Sequence, residues 1–198
     1  MHSVSEAQLA YKLALFSLTA ASLLISPSSV AQETEQGIWA KTKATLTNIA
    51  EEGRWDLYLS GYAYHGRDTY TEQRIKKLNE KAWGAGIGKT VRNEKGNDES
   101  LYFMAVRDSH MRAQWMAGYA YQWIRQINIG SHLEVGAGVT ALLMRRSDWF
   151  GGVPFPAVLP IASIGTQGAK LMATFVPRIS TPKGKGDVVL LFAKFEFD

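Results

Sequence analysis

From Trp55 onward, apolar and polar positions alternate with a period of two, the signature of strands with two unlike faces. The stretch Gln114–Gln126 shows it best. Trp115, Ala117, Tyr119, Tyr121, Trp123 and, just beyond it, Ile127 share one face, broken only by Arg125. Gln114, Met116, Gly118, Ala120, Gln122 and Gln126 share the other, with Ile124 out of pattern. His132–Met144 repeats the plan, with Leu133, Val135, Ala137, Val139, Ala141 and Leu143 set against His132, Glu134, Gly136, Gly138 and Thr140. Trp83–Arg92 puts Gly84, Gly86 and Gly88 on one face, and Asp187–Phe197 puts Val189, Leu191, Ala193, Phe195 and Phe197 together. Trp55–His65, Ser100–Arg107, Pro156–Gly165 and Ala169–Val176 complete a set of eight strands. The pattern predicts an all-β fold, an eight-stranded antiparallel up-and-down barrel.

The segment before Gly53 has a different period. Ile38, Trp39, Thr42, Leu46, Ile49 and Ala50 recur at helical spacing, predicting an amphipathic helix over Gln36–Glu52 that Gly53 ends. Further upstream, Lys12 precedes an apolar run from Leu13 to Ile25, and Ser29 and Ala31 form a small-x-small pair. That arrangement predicts a cleavable export signal, cut after Ala31. The run falls short of the ~20 apolar residues that a spanning helix needs. Three parts follow: an export signal at 1–31, a segment with the helix at 32–53, and a barrel at 54–198.

In an up-and-down meander the connections alternate between the two ends. Asn93–Glu99, Ile127–Ser131 and Thr166–Gly168 form a short set; Gly66–Ala82, Asp108–Ala113, Arg145–Phe155 and Pro177–Gly186 form a longer one. Short turns at one end and longer loops at the other are the habit of bacterial outer-membrane barrels. A soluble barrel also alternates, but it turns its polar face outward. Here the aromatic face is the more continuous one. The chain of 198 residues has 6 Trp, 8 Tyr and 8 Phe and no cysteine, which excludes disulfides and thiolate metal sites. Its net charge of +4 fits anionic lipid surfaces as well as nucleic acid, and does not choose between them. Eight strands enclose room for packed side chains or one slim ligand, so a porin is excluded and a lipid is a natural occupant.

Meander topology brings His65, at the end of the first strand, to the same rim as Asp108 and Ser109, at the end of the third. Imidazole, carboxylate and hydroxyl are the groups that acyl transfer requires. Ordinary polar rim residues would satisfy the same pattern. His110 and His132 have no spacing that suggests zinc, and no metal or cofactor is expected. The run Arg74, Ile75, Lys76, Lys77 reads as a solvated loop face that could also meet phosphates. The three strand glycines precede no helix and form no phosphate loop.

At these residues the chain resembles the lipid A palmitoyltransferase family of outer-membrane enzymes. The resemblance runs from about Trp55 to Phe197 and rests on Trp55-Asp56-Leu57-Tyr58, Asn79-Glu80, Trp83-Gly84-x-Gly86-x-Gly88, Glu94-Lys95-Gly96-Asn97, Leu101-Tyr102-x-Met104-Ala105, Asp108-Ser109 and Ala117-Gly118-Tyr119. The most specific piece is Pro154-Phe155-Pro156-Ala157-Val158-Leu159-Pro160, continuing to Gly165.

The resemblance implies transfer of palmitate from the sn-1 position of a phospholipid to a hydroxyacyl chain of lipid A, by a monomer in the outer membrane that binds no nucleic acid. It implies that His65 acts as general base on Ser109 or on the acceptor hydroxyl, with Asp108 orienting His65 or polarising the site. It places the floor of an acyl-chain slot at Ala120, with Met116, Gly118 and Gly88 lining it. It also implies lateral lipid entry where Pro154, Pro156 and Pro160 interrupt strand pairing. A second gap in the family uses prolines at positions held here by Ser60 and Ala82, so the proline argument does not extend to it. A phospholipase with water as acceptor, and a non-catalytic lipid-binding barrel, are the alternatives.

Overall fold

The computed structural model describes residues 30–198, except 69, 129–131, 147–149, 178–186 and 198. The expected export signal lies outside them but for its last two residues. Helix α1 spans Val30–Glu52, starting earlier than the apolar stripe suggests, because Ala31-Gln32-Glu33 holds no helix breaker. The chain divides into two compact units, 1–47 and 48–198. In the first, Ile38 and Trp39 are exposed apolar side chains. In the second, the last turn of α1 buries Ile49 completely and closes on Gly53, whose N–H donates to the Ile49 carbonyl at 3.0 Å. Lys89 Nζ donates to the Ala50 carbonyl at 2.6 Å, placing a cation on the negative end of the helix.

The strands are β1 (Arg54–His65), β2 (Gly84–Arg92), β3 (Asp98–Arg107), β4 (Ala113–Asn128), β5 (His132–Arg145), β6 (Phe155–Gly165), β7 (Ala169–Val176) and β8 (Val188–Phe197). They pair in sequence order and antiparallel, and β8 closes on β1. Every predicted strand is present, with ends moved by a residue or two. The rim where odd-numbered strands end is called the upper rim below. Its loop 66–83 carries a short helix, α2 (Glu72–Ile75), and the loop 146–154 a 3-10 turn at Phe150–Gly152. The connection Asp108–Arg112 departs from the expected length alternation. It is no longer than the lower turn at Asn93–Asn97, because Asp108 folds it into a tight hairpin.

Burial follows the two faces predicted for β4 and β5. Gln114, Met116, Ala120, Gln122, Glu134, Thr140, Leu142 and Met144 point in. Outside, Leu57, Leu59, Ile87, Phe103, Val139, Leu143, Val158, Ile164 and Leu171 stay exposed and form an apolar belt. Trp55, Trp123 and Phe197 flank it near the lower rim, and Tyr62, Tyr64 and Trp83 near the upper. A belt of this extent is foreign to a water-facing surface.

The interior has two layers. The upper is apolar, with Met104, Met116, Leu142, Met144, Leu159, Ile161, Met172, Leu190 and Phe192. The lower is ionic. Lys170 lies 2.6 Å from Asp98 and 2.9 Å from Glu134, and Arg92 pairs with the same two carboxylates at 2.7 and 2.8 Å. Lys194 sits 3.3 Å from Asp56, which also accepts from the Thr90 hydroxyl. The β2 glycines let neighbours press against bare backbone. A Cβ at Gly88 would stand 2.5 Å from the Leu101 carbonyl and 2.9 Å from the Tyr58 ring. Gly88→Val is therefore expected to cost about 1–3 kcal/mol, the usual penalty of overpacking, read as a lower urea midpoint of the refolded barrel. An unchanged midpoint would contradict the contact.

Candidate active site

A strict alternation through β1 would aim His65 outward. Asp56, Tyr58 and Ser60 point in, so the next inward positions would be Tyr62 and Tyr64. Instead the register of β1 against β8 shifts between Ser60 and Tyr62, a bulge at Gly61 that reverses the faces. Tyr62 and Tyr64 turn out, and Ala63 and His65 turn in. His65 is fully buried. Its Nε2 lies 2.8 Å from Ser109 Oγ, a hydrogen bond between residues 44 apart in sequence. Its ring makes a T-shaped contact with Tyr70, with ring centres 5.3 Å apart.

Ser109 is held by its own hairpin. Asp108 Oδ1 accepts from the backbone N–H groups of His110 and Arg112, both at 2.8 Å, and the Met111 N–H donates to the Asp108 carbonyl. The turn forces Met111 to φ 65, a positive φ found at no other non-glycine residue among those described. Asp108 thus spends one oxygen on the loop that presents Ser109. Its buried Oδ2 has no protein hydrogen bond.

The carboxylate beside His65 belongs to Glu80. Its Oε1 stands 3.5 Å from Nδ1 and accepts from the His65 backbone N–H at 3.2 Å. Arg67 grips both Glu80 oxygens, at 2.8 and 3.0 Å, and the Tyr62 hydroxyl donates to Oε2 at 3.2 Å. The guanidinium holds the Glu80 carboxyl well below the ordinary carboxylate range, at about 2. Because this folded-state value is depressed, the pair stabilises the loop above the ordinary carboxylate pKa and is lost only as pH falls toward 2.

Below the pair opens a cavity that reaches the upper rim. Asp108, Ser109, Arg107 and Arg146 stand at the mouth, and Met104, Met116, Leu142, Met144 and Phe192 make the walls. Ala120, Tyr58 and Ser100 lie at the bottom, where the Tyr102 and Thr140 hydroxyls bond at 2.7 Å. The ionic layer lies beneath. An apolar tail would end where these polar groups begin.

The wall has two seams at the upper rim. β6 pairs with β5 along its length but with β7 only over Ile161–Gly165. Pro154, Pro156 and Pro160 lie in or beside the unpaired part, and the last link is Thr174 Oγ1 to the Pro160 carbonyl at 2.9 Å. β1 and β2 also part, above Ser60 and Gly84, although no proline stands there. The Gly61 bulge ends that pairing, and the Ala63 N–H donates instead to the Glu80 carbonyl at 2.9 Å.

Residues 45–194 match the family described as "Antimicrobial peptide resistance and lipid A acylation protein PagP". The chain belongs to this family. Proteins named "Lipid A acyltransferase PagP" are among its relatives. The one from Bordetella parapertussis is 39% identical over 88% of this chain and 94% of its own. Those from Bordetella pertussis (strain CS) and Legionella longbeachae are 41% and 42% identical, over 80% and 77% of this chain and 85% and 65% of theirs.

In this PagP-family chain, two of the three residues singled out at the rim make direct contact, His65 and Ser109, while the Asp108 carboxylate is turned into its own hairpin. Met116 and Ala120 line the cavity. Gly118 and Gly88 act through their missing side chains: a Cβ at Gly118 would lie 2.6 Å from Leu142 Cβ. Glu80 had only its place in Asn79-Glu80 to mark it, since nothing in its spacing ties it to His65. No cluster of potential metal ligands occurs among the described residues.

Proposed function

We propose that this family member is an outer-membrane acyltransferase that moves a palmitoyl-length chain from the sn-1 position of a phospholipid to a hydroxyacyl chain of lipid A. The observation that carries this reading is the 2.8 Å contact of His65 and Ser109 at the mouth of a closed-ended apolar slot. The outward apolar belt supports a bilayer setting, in which the upper rim faces the lipopolysaccharide leaflet. Nothing in the reading calls for a second copy of the chain or a cofactor.

The donor's tail enters the slot, so its ester carbonyl lies beside Ser109. Nε2 accepts the Ser109 proton as Oγ attacks that carbonyl, and returns it to the departing lysophospholipid oxygen. A lipid A hydroxyl then attacks the acyl-serine ester. It gives its proton to Nε2, and the proton passes back to Ser109 Oγ as the ester bond to the enzyme breaks. Arg107 and Arg146 put positive charge where both lipids carry phosphate. The seams beside Pro154, Pro156 and Pro160 and above Ser60 offer lateral routes that need little hydrogen bonding to be broken.

Mass spectrometry of lipid A from cells with and without the protein tests the reading. The expected result is a gain of one palmitoyl group that disappears in a His65→Ala variant of equal abundance. Retention of the gain in the variant would remove His65 from the chemistry. Release of free fatty acid at full rate by purified protein lacking lipid A would make it a phospholipase.

A further inference from the structure

An imidazole that takes a proton on Nε2 must carry its own proton on Nδ1, and a nearby acceptor usually fixes that choice. His65 Nδ1 is buried and makes no full hydrogen bond. The polar atom facing it is Glu80 Oε1, at 3.5 Å. Catalytic hydrogen bonds commonly tighten when substrate is bound.

The carboxylate is itself locked. Arg67 holds both oxygens, Tyr62 adds a third bond, and the His65 backbone N–H donates to the same Oε1. The segment is anchored from the other side as well, since the Asn79 N–H donates to the Ser109 carbonyl at 3.0 Å. One short stretch, Asn79-Glu80, thus touches both members of the reacting pair. Asp108 does not take this part: its Oδ1 serves His110 and Arg112, and its Oδ2 makes no hydrogen bond to the imidazole.

We propose that Glu80, clamped by Arg67, is the positioning residue of the acyl-transfer site, selecting the tautomer and the ring orientation with which His65 meets Ser109. This rests on the reading of His65 and Ser109 as the reacting pair. Glu80 touches no substrate; it acts through the imidazole.

The groups around the ring give the proposal a signed test. Glu80 and Arg67 are the charged residues acting on it, Tyr70 packs against it nearly at a right angle, and the Ser109 hydroxyl faces Nε2. A carboxylate favours the imidazolium form and a guanidinium opposes it. Glu80 itself stays ionised throughout the range in which an imidazole titrates. Removing either charge therefore moves the acidic limb of the rate profile, in opposite directions.

The experiment measures kcat and KM of the purified full chain in detergent, with phospholipid donor and lipid A acceptor, from about pH 5 to 9. For Glu80→Gln, kcat is expected to fall about 100-fold or more, by analogy with loss of the orienting carboxylate in other His-dependent sites. Its KM stays near wild type and its acidic limb moves to lower pH. For Arg67→Met, with Glu80 left uncompensated, the limb moves to higher pH. Glu80→Asp restores part of kcat. Acidic limbs that stay at the wild-type pH in folded variants would overturn the proposal, even if kcat fell, because a purely structural glutamate lowers rate without moving the limb. Should Glu80→Gln not fold, the Arg67→Met limb decides alone. Loss of activity in His65→Ala together with unmoved limbs would sink the Glu80 role only; activity surviving in His65→Ala would sink the underlying reading.

Discussion

Replacing Lys170 with methionine should destabilise the barrel by about 3–5 kcal/mol, the usual cost of stranding a buried charge. Lys170 Nζ bridges Asp98 and Glu134, and its side chain is 1% exposed. Without it, Arg92, itself 22% exposed, faces the two buried carboxylates alone. The residual charge, more than the lost attraction, sets the size of the effect. Lys170→Met combined with Glu134→Gln restores a one-to-one balance and should recover a large part of the loss. Urea titration of the refolded barrel in detergent or liposomes reads both variants. A loss under about 1 kcal/mol in the single variant would show that water or ions reach this layer, and that it does not seal the slot.

Ala120→Met should shorten the transferred chain by roughly two to four carbons, taking each added side-chain atom to displace about one methylene at ~0.8 kcal/mol. Ala120 is 4% exposed at the bottom of the slot, and the polar lower layer leaves a displaced tail nowhere to go. A mismatch of one or two methylenes shifts selectivity by about 10–200-fold, so the product should change rather than the rate alone. Ala120→Gly should admit about one more carbon. Phospholipids of mixed acyl length, with the products weighed by mass spectrometry, check both variants. An unchanged length distribution in Ala120→Met would mean that the tail does not reach this floor.

Both effects depend on a division of labour inside the barrel. On the proposed reading, the apolar upper layer accommodates hydrocarbon and the ionic lower layer refuses it. The hydroxyl pair of Tyr102 and Thr140 marks the boundary. Reaction at the rim and chain selection at the floor are then separate properties, altered by separate residues.

The sequence by itself determined the strands, their order and the faces of β4 and β5. Period-two patterning reports which side of a strand meets an apolar surrounding, and a meander needs no further information to close. It also brought His65 and Ser109 to one rim, because alternate strands end on the same side. What it could not carry was the local break in that period. Gly61 looks like any strand glycine, yet the bulge there turns His65 inward and parts β1 from β2 without a proline. Nor could it separate Asp108 from Glu80. Both are acidic residues near the rim, and one is turned into its own hairpin while the other meets the imidazole from a loop. Those assignments depend on contacts between distant parts of the chain. They are settled only when the closed barrel fixes where each rim segment lies.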